Sequence, residues 1–138
     1  MSIVQTQTTS FKKELYEAVH NLSTDTLKIA LYTGNASLNE DTTAYSATNE
    51  VVASGYTAGG NTLTGVTISS SDYTAYVNFA NTSWTAAITA RCALIYNVTQ
   101  GNKSIAVIDF GSDKTSTTTF TITMPANTST TALIRSSN

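Results

Sequence analysis

From Asp25 onward the chain is written in short apolar–polar alternations, each cut off after a few residues by Gly, Asn, Ser or Thr. Alternation puts successive side chains on opposite faces of an extended strand, so it specifies strands with one buried face. In 26–33, Leu27, Ile29 and Leu31 point one way and Lys28, Ala30 and Tyr32 the other. Similar patterns mark 63–68, 73–79 and 117–124, with shorter ones at 50–54 and 132–134. Segments 88–97 and 105–110 are denser in apolar residues, and Thr99-Gln100-Gly101-Asn102 between them is a hairpin signal. Roughly a fifth of the residues are threonine, whose branched Cβ suits a pleated surface. Seven or eight closely spaced strands predict a mainly β fold: an antiparallel β-sandwich or flattened barrel.

One helix precedes the strands. Phe11, Leu15, Ala18, Val19 and Leu22 recur at helical spacing, predicting a helix over 11–22 with Ser10 as its N-cap. Lys13 and Glu17, four apart, should pair weakly on its exposed face. Residues 1–9 are polar apart from Met1, Ile3 and Val4 and read as a flexible or partner-ordered arm, leaving 10–138 as one domain. Residues 35–49 lack periodicity and predict a long loop with a helical turn near Tyr45; loops of that length tend to be functional. The expected core is Leu27, Ile29, Leu31, Val77, Phe79, Leu94, Tyr96, Val107, Phe120 and Ile122, with Trp84 plugging one end and Tyr73 on a core-facing register.

The polar residues are poor in chemistry. Only 12% are charged, the net charge is -2, and there is one His and one Cys. Clustered acids, bases, nucleophiles or metal ligands are what active sites need. Cys92 can form no internal disulfide and sits in an apolar run, so it reads as a small core residue. His20 is expected to be exposed near the helix end, without an acid four residues before it. Ser10-Phe11-Lys12-Lys13 matches the Ser-x-x-Lys of acyl-transferring enzymes, but capping explains Ser10 as well. Asp72, Asp109 and Asp113 are expected at strand ends, serving turns. The seven cations are dispersed apart from Lys12-Lys13, which argues against a nucleic-acid stripe. No metal or cofactor site is expected. No apolar run approaches the ~20 residues of a membrane span, and the N-terminus lacks a secretory pattern, so a cytoplasmic origin is expected.

Several segments together carry a resemblance. They are His20-Asn21-Leu22 followed by 24–32, Glu50-Val51 through Gly55-Tyr56-Thr57-Ala58-Gly59-Gly60-Asn61-Thr62-Leu63, Trp84-Thr85, 90–97, and Ile108-Asp109-Phe110-Gly111. In order and spacing, over roughly residues 10–125, the chain resembles small virion structural proteins of tailed bacteriophages, most closely a capsid decoration (cement) protein. The resemblance implies a non-enzymatic part of the virion, assembled in the host cytoplasm. It would bridge subunits of the major capsid protein and act in symmetric copies, a trimer being the expected form. The expected partner contacts lie on the arm and the long loop: Ile3, Val4, Leu38, Glu40, Asp41 and Tyr45. A neck, tail-tube or fibre-base component is the alternative, and a carbohydrate-binding module a more distant one.

Overall fold

The densest apolar segments form the centre of the molecule. In the computed structural model, which describes residues 3–137, β7 (Thr89–Asn97) and β8 (Lys103–Thr115) form a long antiparallel hairpin. Gly101 and Asn102 both take positive φ in its turn, as the hairpin signal requires. β2 (Leu27–Tyr32) pairs along the other edge of β7, so that Leu27 faces Asn97 and Tyr32 faces Cys92. The short strands β1 (Thr6–Gln7) and β3 (Asn61–Thr62) complete a five-stranded sheet of order β1-β8-β7-β2-β3.

A second layer covers one face of that sheet. It holds β4 (Thr67–Ser71) and β5 (Thr74–Asn78), joined to β10 (Ile134–Ser137) in the order β10-β5-β4. Beside them lie the paired strands β6 (Thr82–Trp84) and β9 (Phe120–Ile122). Between the layers sits the main core: Leu27, Ile29, Leu31, Phe79, Trp84, Ile95, Ile105, Phe120 and Ile122, with Phe11 and Leu22 from the N-terminal region. The fold is therefore a mainly antiparallel β-sandwich with one helix, as the alternation predicts. Ten strands are found among the described residues; β1, β3 and β6 are two- or three-residue strands too short to show a period.

The other face of the five-stranded sheet is buried too. Ala30, Tyr32, Cys92, Leu94, Tyr96 and Val107 form a second cluster, closed by Ala36 and Leu38, with Ile3 and Tyr45 packed against it. This explains why β7 reads as a nearly continuous apolar run: both its faces are covered. Leu94, Tyr96 and Val107 are core residues as expected, but of this second cluster, and Val77 is only half-buried.

Local expectations need correction in five places. The helix α1 spans Thr9–Tyr16 and its cap is Thr8, whose hydroxyl accepts the Phe11 N–H; Ser10 lies inside the first turn. The helix stops before Leu22 because Ala18 takes positive φ (58°), and Leu22 reaches the core after that turn. Residues 3–9 lie against the chain's own body instead of projecting: Thr6 pairs with Val107, Gln7 with Ala106, and Thr8 is fully buried. (Met1, Ser2 and Asn138 lie outside the described residues.) No helical turn forms near Tyr45, because Ala44 bridges Lys103 in extended conformation. Segment 50–54 is not a strand; only Glu50 makes a bridge, to Tyr32.

Candidate functional site

The long loop is held by a buried carboxylate. Glu50 accepts the Tyr45 hydroxyl on one oxygen (2.6 Å), and the Tyr56 hydroxyl (2.5 Å) and the Gly59 N–H (2.7 Å) on the other. Tyr56 in turn accepts the Leu31 N–H of β2, and the Tyr96 hydroxyl donates to the Gly59 carbonyl (2.6 Å). Tyr45 stacks on Tyr96 with ring centroids 4.7 Å apart. Burial, reinforced by the Glu50 charge, raises the Tyr56 and Tyr45 hydroxyls above the ordinary phenol range and takes Tyr96 to about 12. The tyrosines therefore stay protonated and donate, which is what a buried carboxylate needs. The cluster ties loop, link and sheet into one piece. Gly60 belongs to it: φ is 80° and a Cβ there would collide with the Ile29 carbonyl, so the chain can pass this close to β2 only with glycine.

His20 is buried, not exposed, and it is bonded on both sides. The Asn97 amide donates to Nδ1 (3.0 Å) and also to Asp25 (2.8 Å), while the Asn97 oxygen accepts the Gln100 N–H (3.2 Å). These partners fix the amide orientation, so Nδ1 is an acceptor and Nε2–H donates to Glu14 Oε1 (2.8 Å). Burial works against the Asp25 charge, but the Asn21 N–H and the Asn97 and Gln100 amides outweigh it and hold this carboxyl below the usual Asp range. The arrangement fastens the end of the helical region to the β7–β8 turn. Glu17 is the nearer acid along the chain, but the turn at Ala18 brings Glu14 to the ring instead.

The remaining motifs do not converge. Lys13 pairs with Glu17 at 3.0 Å on the exposed face, while the Ser10 hydroxyl lies near those of Thr8 and Ser104. Asp109 lies within β8, not at its end, and pairs with Arg91 at 3.3 Å. Cys92 is fully buried and its thiol is pushed up to about 11, first by burial and then by the Asp109 charge. Tyr73 is 97% exposed at a hairpin tip, not core-facing. Among the described residues no three His, Cys, Asp or Glu side chains group as a metal site, and no helix is long and apolar enough to cross a membrane.

The expected partner contacts are divided by the fold. Leu38 is buried, and Ile3 and Tyr45 are half-buried against the second cluster, so these three hold the loop and arm down on the sheet. Val4, Glu40 and Asp41 stay exposed. Val4 N–H donates to Leu38 and Thr9 N–H to Glu40, which lays arm and loop side by side on one face.

A groove of about 670 Å³ opens elsewhere, between β8 and β9. Ile108, Phe110, Phe120, Met124 and Leu133 give it an apolar floor, with Lys114 at its rim. Beyond Val107 no strand pairs with the outer edge of β8 among the described residues; only the Gln5 side chain meets the Asp109 N–H there. β9 pairs with β6 alone, leaving its other edge open as well. Two open strand edges around an apolar floor suit an extended segment that adds main-chain hydrogen bonds and inserts alternate side chains. Sequence alternation identified both strands but not that neither edge would be covered. Comparison with known proteins found no matching family model, no matching curated protein and no matching solved structure.

Proposed function

We propose that this chain is a structural component of a tailed-phage virion: a decoration protein that binds the major capsid protein and turns over no substrate. The observation that carries the reading is the groove between β8 and β9, with its apolar floor and two open strand edges. An extended segment of the capsid protein occupies it by strand addition, and an acidic residue of that segment meets Lys114, which has no acidic partner among the described residues. The ordered segment resemblance over roughly 10–125 supports the virion assignment. Exposed Val4, Glu40 and Asp41 form a second contact, one apolar and two acidic side chains, on the face covered by the arm and the long loop.

The test mixes purified full chain with phage heads that lack it and measures bound copies per head. Wild-type chain should saturate at a fixed multiple of the shell lattice. Lys114→Glu and Thr123→Arg, both at exposed positions lining the groove, should bind at least tenfold more weakly while keeping the wild-type circular dichroism spectrum. Binding only to tails, or unchanged binding of both variants, would reject the reading.

A further inference from the structure

The β4–β5 hairpin ends in two residues of left-handed backbone, Asp72 (φ 52°) and Tyr73 (φ 65°). Such two-residue turns favour Asn-Gly or Asp-Gly. A bulky residue in the second position is an outlier, and strain of this kind marks positions held for a purpose other than folding. Tyr73 contributes nothing to the core either, since its ring is 97% exposed. The strained position therefore carries a large aromatic side chain straight into solvent.

Beside this hairpin the same chain carries an apolar hollow of about 380 Å³. It lies between α1 and the β10-β5-β4 sheet, lined by Leu15, Ala18, Ile68, Ala75, Val77 and Ile134. Leu15 is 41% and Ile68 52% exposed there. The hollow continues past Gln7, Leu15 and Ser136 into a more polar one that holds Lys12 and Arg135. Neither cation has an acidic partner among the described residues, whereas the acid Asp72 adjoins Tyr73 at the tip.

We infer that this face is where a second copy of the chain docks, each Tyr73 entering the other's apolar hollow and each Asp72 facing the other's Lys12 and Arg135. The knob and the hollow adjoin: Thr74 pairs with Ser71 and Ser137 at the end of the sheet, and Ala75 and Ser136, one row further in, line the hollow. A twofold axis through this face brings both pairs together at once, the usual self-complementary arrangement. One buried aromatic covers only about 150–250 Å², well short of the roughly 800 Å² per partner of a stable interface. Tyr16, 94% exposed, lines the polar hollow, and β4, whose Ile68 lines the apolar one, has an open outer edge; both add surface beside the two hollows.

This goes beyond the virion reading and does not rest on it: a chain that self-associates but ignores phage heads would sustain one and sink the other. The experiment is light scattering coupled to size exclusion on the full chain, with melting curves in parallel. Wild type should run at twice the monomer mass. Tyr73→Gly should run as a monomer and melt no lower than the wild-type monomer, because glycine relieves the strain. Asp72→Lys alone, and Lys12→Glu with Arg135→Glu, should each weaken association at least tenfold, and combining all three should restore it. A monomeric wild type at its highest soluble concentration, dimerisation of Tyr73→Gly as tight as wild type, or a combined variant that stays monomeric would overturn the inference.

Discussion

Glu50 shows how one residue can tie a long loop, the link that follows it and the sheet together. Its three donors come from Tyr45, Tyr56 and Gly59, and those of Tyr56 and Gly59 would be left buried without a partner if the carboxylate were removed. Glu50→Ala should therefore cost on the order of 3 kcal/mol in urea unfolding, with loop 35–49 losing amide-exchange protection first. Asp25 makes a pH prediction. Its carboxyl is held below the ordinary Asp value, so its stabilising contribution is present above that value and is lost as pH falls through the folded one. Asp25→Asn should flatten the acid side of the stability–pH curve; an unchanged acid limb would contradict the assignment. At this scale legibility was uneven. The burial of Cys92 was readable because its whole run is apolar. The burial of His20 was not, because the turn at Ala18 folds it back onto Glu14 of α1 and against Asn97 of β7, which spacing along one continuous helix does not bring together. Glu50 gave no signal either, since nothing in a lone acid flanked by tyrosines says that they meet.

The elements were legible where they repeat a period and illegible where a single residue sets a boundary. The pairing of β2, β7 and β8 follows from alternation and from the turn at Gly101-Asn102. The helix is different. Its apolar stripe continues through Leu22, yet positive φ at Ala18 ends it, and no periodicity detects a turn that delivers the next apolar residue to the same core. The cap falls two residues before the expected Ser10 for a related reason: Ser is if anything the better cap type, and the tertiary contact of Thr8 decides. The Thr8 hydroxyl lies 2.9 Å from that of Ser104 as well as receiving the Phe11 N–H. Thr8→Ala should thus lose a cap worth about 1 kcal/mol and orphan part of the buried Ser104 hydroxyl, costing roughly 1–3 kcal/mol more. Thr8→Ser should retain most of both. Equal melting temperatures for the alanine and serine variants would count against this account.

The molecule as a whole is a sandwich whose larger sheet is sealed on both faces, by the second strand layer on one side and by loop 35–49 with the arm on the other. That architecture was readable as a class, because strand count and alternation need only one buried face. The second seal was not, because an aperiodic loop carries no sign of which surface it covers. Phe120 sits where the layers meet, its ring 6.2 Å from Trp84 and 6.1 Å from Phe110. Phe120→Ala should destabilise by about 3–5 kcal/mol and also collapse the groove floor, so loss of stability and of partner binding should appear together in that variant. Lys114→Glu should separate them. The proposed role, a part of a tailed-phage virion, is most directly tested by imaging virus particles purified from the source of this sequence and quantifying the chain in them. The account predicts copies on the head, in register with the shell lattice and with a strand of capsid protein seated between β8 and β9. A single ring of copies at the neck or tail, or particles that lack the chain altogether, would contradict it.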